Sequence, residues 1–423
     1  MLKLTLVLSG LAILATGICQ PAHANAQTTK PQTFYVGTCK PGKADYTTIQ
    51  EAVAGVPPGS IVDVCPGSYP EQVTIQQPLT LQAVQTGNNA SVVITAPSNG
   101  LLSTTIPVAI PIAAQLAVSN SSGPVNISGL TVDGTGITAS SSGSPVAGIL
   151  YNSSPGTLNR VVIQNLMSTN VEVFGVAFRD DNAVSPTNAL QNSVISFPSV
   201  GNGNAFGGIG IGASTVIAVG SLETFTSSTG TISLSVTNNY FSTAPGNPAF
   251  AIFSELNVAA TITGNTIAGA ISSTGQTTST GTFVSGIIVS SPTAPVKING
   301  NSIFDATDAI VVQQGGRTSL TLSSDINIVN NTLAPSATGV FLLGGTSVAT
   351  ITGNQIVPAT IKPAGQSGSQ IGIDFGCGTT LPTVSGNNFM GTSIALNNVP
   401  NGISLQKNAG NFINVPTIEQ LCQ

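Results

Sequence analysis

A six-residue pattern recurs along the chain and limits the folds open to it more than any other feature. It reads I-T-G-N-T-I at Ile262–Ile267 and returns as I-N-G-N-S-I (Ile298–Ile303), I-V-N-N-T-L (Ile328–Leu333), I-T-G-N-Q-I (Ile351–Ile356), V-S-G-N-N-F (Val384–Phe389) and V-T-N-N-Y-F (Val236–Phe241). Looser copies are I-S-G-L-T-V (Ile127–Val132), I-Q-N-L-M-S (Ile163–Ser168) and L-Q-N-S-V-I (Leu190–Ile195). The third position is always Gly or Asn: Gly129, Asn165, Asn192, Asn238, Gly264, Gly300, Asn330, Gly353 and Gly386. These two residue types enter the left-handed backbone region most cheaply, Gly for lack of a Cβ and Asn through local hydrogen bonds. Each copy therefore predicts strand, sharp bend, strand.

The bends lie 23 to 46 residues apart, with Ser/Thr/Gly-rich stretches of varying length between copies. A parallel β-helix accepts such variation, because its loops lengthen without disturbing its strands; propellers and helical solenoids accept it less well. A further apolar strand precedes each bend, as in Ala147–Leu150, Phe174–Phe178, Gly208–Ile211, Phe250–Phe253, Gly286–Val289, Ala309–Val312, Gly339–Leu342, Ile371–Phe375 and Ser393–Leu396. About eleven coils result, a rod roughly 50 Å long at the ~4.8 Å spacing of paired strands. The fourth bend position is Asn at Asn239, Asn265, Asn301, Asn331, Asn354 and Asn387. Identical amides on stacked coils can hydrogen-bond in a ladder, so these predict scaffold rather than a ligand stripe. Phe174, Phe178, Phe250, Phe253, Phe341 and Phe375 are expected in the core.

Near the start the period changes. Thr33–Thr38 alternates as a strand. Ile49, Ala52, Val53 and Val56 then share a helical face, with Asp45 or Thr47 available as N-cap and Pro57-Pro58-Gly59 as the stop. The run Y-T-T-I-Q-E-A-V-A-G-V-P-P-G-S-I-V-D-V-C-P-G-S-Y-P-E-Q-V-T-I-Q-Q-P-L-T-L (Tyr46–Leu81) resembles the N-terminal cap and first coil of right-handed parallel β-helix proteins. Pectin methylesterases, pectate-lyase-like proteins and NosD-type proteins belong to that superfamily. The resemblance implies an all-β, single-stranded right-handed parallel β-helix with a short capping helix. It is shared by enzymes and non-enzymes.

Composition narrows the function. Only 6% of residues are charged, with a net charge of −5 and ten scattered Lys and Arg. No basic patch suits nucleic acid. Lys3, the apolar Leu4–Ile18 and a small-x-small site near Ala22–Ala26 predict an export signal over residues 1–26, followed by the β-helix over 27–423. The apolar run is shorter than the ~20 residues of a membrane span. A secreted, periplasmic or extracellular setting favours disulfides, and the pairs Cys39–Cys65 and Cys377–Cys422 are the expected ones of three connectivities. The only histidine, His23, lies in the export segment. A Ser-His-Asp triad, a Cys-His pair and a typical zinc site are thereby excluded from the mature chain.

In the lyases and hydrolases that the fold resembles, polysaccharide lies along the first strands and the loops that follow them. Those positions hold Arg179-Asp180-Asp181, Glu255, Gln313, Gln314, Arg317 and Asp374. A uronate lyase would use Arg179 as base, with Asp180, Asp181 and Glu255 around a calcium ion. Yet the motifs Q-D-T-L and D-F-I-F-G of pectin methylesterases are absent, as is the G-H-G of polygalacturonases. No Trp and few Tyr are present to stack on sugars. The favoured reading is an exported, non-catalytic β-helix presenting a neutral polar face to polysaccharide or the cell envelope. The competing one is a polysaccharide lyase or related carbohydrate-active enzyme built around Arg179, Asp180 and Asp181.

Overall fold

The computed structural model describes residues 30–85, 91–102, 111–137, 144–166, 173–197, 216–222, 230–243, 249–269, 283–313, 323, 325–343, 348–359, 370–377, 382–403, 408 and 411–422. Gln32–Gln423 forms one compact unit. The expected export segment and the strand expected at Gly208–Ile211 lie outside the described residues. The corresponding place in the sheet is taken by Val216–Leu222.

Among the described residues, three parallel sheets of twelve strands each make up the unit. The chain visits them in turn, so Ser60–Val64 lies in sheet A, Gly67–Pro70 in sheet B and Val73–Ile75 in sheet C. Eleven complete coils follow one another in this way from Ser60 to Val399. The protein is a right-handed parallel β-helix.

The six-residue pattern marks the corner between sheets A and B. Its first residue points inward from sheet A, where Ile127, Leu158, Leu190, Val236, Ile262, Ile298, Ile328, Ile351 and Val384 are successive ladder partners. Its last residue points inward from sheet B, as in Phe241, Ile267, Ile303, Leu333, Ile356 and Phe389. All are buried, each side chain contributing about 1.5–3 kcal/mol of transfer free energy.

All nine bend residues have positive φ, from 53° at Asn192 to 72° at Gly129. One copy is nevertheless out of register. Leu158 pairs with both Ile127 and Leu190, so the corner of that coil is L-N-R-V-V-I and its left-handed residue is Arg160, φ 53°. Asn165 sits at the next corner, after Val162–Gln164, where its amide bonds Asp133.

The capping helix spans Ile49–Gly55 and buries Ile49, Ala52 and Val53. Its N-cap is Thr48, one residue beyond the expected Thr47; Thr47 instead donates to Glu51, and Asp45 accepts from the Tyr35 N–H. Glu71 takes the N–H groups of Ile49 and Gln50 at 2.8 Å each, and Gln77 donates to the carbonyls of Val53 and Val56. The first coil thus satisfies both ends of the helix that covers it. Disulfides join Cys39 to Cys65 and Cys377 to Cys422.

Sheet C departs from the expected pattern. Its strands Ala113–Ser119, Val146–Asn152 and Val173–Arg179 are buried at every position. Leu116, Ile149, Val176 and Phe178 pack into the main core. Ala114, Ala117, Ala147, Leu150, Phe174 and Ala177 form a second cluster, with Phe250 and Phe253 packed against it. Of the six phenylalanines expected in the core, Phe178 and Phe375 are there. Phe174, Phe250 and Phe253 belong to the second cluster, and Phe341, between Val311 and Asp374 in register, is half-buried. A strand covered on both sides has no polar alternation to betray which residues face inward.

Candidate functional site

Arg179 ends its strand in sheet C, level with Asn152 on one neighbour and Leu222 on the other. It is buried, and its Nε donates to Asp181 Oδ1. Asp181 Oδ2 accepts from Asn152 Nδ2 at 2.9 Å, while the Asp181 N–H reaches Asn152 Oδ1 at 3.3 Å. Asp180 turns the other way. Its two oxygens accept the N–H groups of Val184 at 3.1 Å and Ser185 at 2.9 Å, which folds the following loop. Glu255 ends the strand two coils further on, level with Ser290. Its side chain lies outside the described residues, as do Gln314 and Arg317.

The chemistry of this cluster follows from its bonds. A general base needs a lone pair or a free nitrogen facing substrate. The Asp180 and Asp181 oxygens are committed to backbone N–H groups, Arg179 and Asn152, and the Asp181 side chain is 0% exposed. The sequence neighbours thus hold the loop after sheet C together. Among the described residues, no three His, Cys, Asp or Glu converge as a metal site would require.

Two other carboxylates lie further along sheet C. Asp308 is level with Ser285 and Thr338. Burial, and secondarily the Asp374 charge, push its carboxyl above the ordinary aspartate range, against a Thr338 hydrogen bond that lowers it. Asp374 accepts from Gly376 N–H at 3.1 Å, Asn397 Nδ2 at 2.9 Å and Asn398 Nδ2 at 2.9 Å. Asp308 has no distinguishing mark in the sequence, because it stands just before the apolar run A-I-V-V rather than within or after it.

Sheet A presents a different surface. The residues flanking its inward file point outward in two registered files. One runs Ser235, Thr261, Lys297, Asn327, Thr350, Thr383; the other runs Thr237, Thr263, Asn299, Val329, Thr352, Ser385. All are exposed or half-buried. Apart from Lys297 and Val329, short hydroxyls and amides therefore repeat every ~4.8 Å along the axis and ~6.6 Å across it. Lys297 is the one charged residue among the twelve.

No family model matches this sequence, and no curated protein matches it. Among solved structures, a GH136 lacto-N-biosidase from Eubacterium ramulus superposes with a TM-score of 0.50 at 10% identity, covering 92% of this chain and 68% of that one. The likeness is one of fold. The β-helix is also found, at lower similarity, in pectin methylesterase PemA from Erwinia chrysanthemi (TM-score 0.36, 12% identity, 67% of this chain and 81% of that one). The A-module of a mannuronan C-5 epimerase from Azotobacter vinelandii gives a TM-score of 0.37 at 16% identity, with 81% and 94% covered.

Proposed function

We propose that this chain is an exported, non-catalytic β-helix protein that holds polysaccharide against the outer face of sheet A. The observation that carries the reading is the pair of registered hydroxyl and amide files between Ser235 and Ser385. Such an array offers donors and acceptors at fixed spacing to a surface that is itself rich in hydroxyls, and it has almost no charge to select an ionic partner. The two disulfides support an oxidising destination. The involvement of Asp180 and Asp181 in their own loop favours binding over turnover at that position.

Co-sedimentation with insoluble neutral polysaccharides tests the reading. The wild-type protein is expected in the pellet, with little dependence on salt because the face is nearly uncharged. The double variant Thr261→Glu/Thr350→Glu is expected in the supernatant. Wild-type protein left in solution across the whole panel would refute the reading.

One observation favours a second reading, a carbohydrate-active enzyme acting over sheet C. A carboxyl that burial makes retain its proton to higher pH than usual, as at Asp308, is better suited to general-acid work than an ordinary aspartate. Release of sugars that is abolished in Asp308→Asn would support it. Unsaturated products lost in Arg179→Ala would instead restore the lyase at Arg179, with calcium as its cofactor. No product from any glycan retires both.

A further inference from the structure

Sheet B carries a second surface, unlike that of sheet A. From the coil of Thr266 to that of Ile413, the residues on either side of its inward file sort by polarity. Thr266, Ser302, Thr332, Gln355 and Asn388 are successive ladder partners and form a polar rail. The other rail is apolar: Ala268 pairs with Phe304, Phe304 with the buried Ala334, and, beyond Val357, Met390 pairs with Ile413. Tyr240 precedes the polar rail as the partner of Thr266, with the exposed Val194 beyond it in the same file. Tyr240, Phe304 and Ile413 are 44%, 36% and 43% exposed, so large apolar groups stand in solvent on a well-formed sheet. Neither rail contains a charged residue.

We propose that these rails bind a single extended chain of a neutral, ribbon-forming polysaccharide lying along the helix axis. A ribbon of equatorially linked pyranose rings has an apolar C–H face and hydroxyl-bearing edges. The apolar rail takes the C–H face, with the Phe304 ring stacking on one sugar, and the polar rail takes the hydroxyls along one edge. The Tyr240 ring, two coils before Phe304 and on the opposite rail, lies about 12 Å away by strand geometry and offers a second stacking surface. Other occupants fit less well. The interior strands are paired on both sides, so they have no free backbone groups with which to add a peptide strand. The strip is about 24 Å long and ~10 Å wide, well under the ~800 Å² per partner of a stable protein interface. The inference shares the carbohydrate reading of sheet A but concerns a different face and a single chain rather than a packed surface.

Calorimetric titration of the full-length mature protein with soluble β-linked gluco-, xylo- and manno-hexasaccharides tests it. At least one should bind; Phe304→Ala should weaken that binding about tenfold or more, and Lys40→Ala, an exposed change beside the capping helix and outside both faces, should leave it unchanged. Phe304 is solvent-exposed, so its replacement should preserve the fold, which an unchanged melting temperature verifies. Three results would overturn the proposal: equal affinity of Phe304→Ala and wild type, loss of binding in the sheet A variant Thr261→Glu/Thr350→Glu alone, or self-association of the wild type that Phe304→Ala abolishes. A wild type that pellets with insoluble glycan yet ignores every soluble chain also overturns it, leaving the sheet A reading intact. Binding to neither form overturns both.

Discussion

Asn301 Nδ2 donates to Asn331 Oδ1 at 3.0 Å, and the same oxygen accepts the Asn301 backbone N–H at 2.9 Å. The second amide hydrogen of Asn301 reaches the Ile262 carbonyl at 2.9 Å, while its own Oδ1 takes the N–H and Nδ2 of Asn265. Both donors and both lone pairs are in use, inside the corner of the rod. The pattern repeats through Asn239, Asn265, Asn331 and Asn354, begins at Ser193 and ends at Asn408. Asn301→Ala leaves two buried donors of Asn265 and one acceptor of Asn331 short of partners. At about 1–3 kcal/mol for each stranded group, the loss should reach ~3 kcal/mol or more, and Asn408→Ala at the end of the ladder should cost less. Denaturant midpoints compare the two; equal losses would mean that the ladder does not act as a unit.

Arg160 holds φ 53° at a corner where Gly129 precedes it and Asn192 follows. A long side chain with no special tolerance for that region stores about 1–2 kcal/mol of strain. Arg160→Gly should therefore raise the melting temperature. Gly300→Val should lower it through backbone strain alone, since a Cβ there meets nothing within 4 Å. Gly264→Val should lower it further, because its Cβ would strike Asn238 Oδ1.

Removing Arg179 leaves a fully buried Asp181 carboxylate with Asn152 as its remaining side-chain donor. Breaking one side of a buried pair commonly destabilises by about 3–5 kcal/mol, so Arg179→Met should be among the most damaging single changes in sheet C. Asp181→Asn in the same chain should recover part of the loss. A double-mutant cycle on thermal unfolding measures the coupling, and additive effects would show that the pair contributes nothing jointly.

Asp308 makes folding pH-dependent. Its folded-state carboxyl retains the proton to higher pH than the ordinary value of 3.8 that applies in the unfolded chain. Folding therefore binds protons in that window, and stability declines as pH rises through it. The penalty is complete above the raised value and absent below the unfolded one. Asp308→Asn should stabilise the protein at pH ~7 and make no difference at pH ~3. A gain of equal size at both pH values would exclude burial of the charge as its cause.

The coils, the corners and the ladder were legible in the sequence because each leaves a residue-type signature at a fixed offset: an apolar first and last position, Gly or Asn third, Asn fourth. Arg160 escaped because strain imposed by neighbouring coils overrides local preference and leaves no such mark. Asn408 escaped because it joins the ladder from outside the repeat. The sequence shows the charge cluster at Arg179 only as three neighbours after a strand, and nothing in R-D-D tells which oxygens face a loop N–H and which face solvent. The two rails of sheet B could not be read for a related reason. They lie across coils, between residues 23 or more positions apart, and emerge only when register aligns Thr266 with Ser302 and Ala268 with Phe304.

In a rod where each coil touches only the next, unfolding has two natural doors, the terminal coils. The Cys39–Cys65 and Cys377–Cys422 bridges are fastened at those doors, the first beside the capping helix and the second across the final strand. Each holds an end coil against peeling, so the barrier to opening is raised at both places from which a zipper could run. Survival in a protease-rich surrounding then depends less on the strength of the middle than on two latches at the tips.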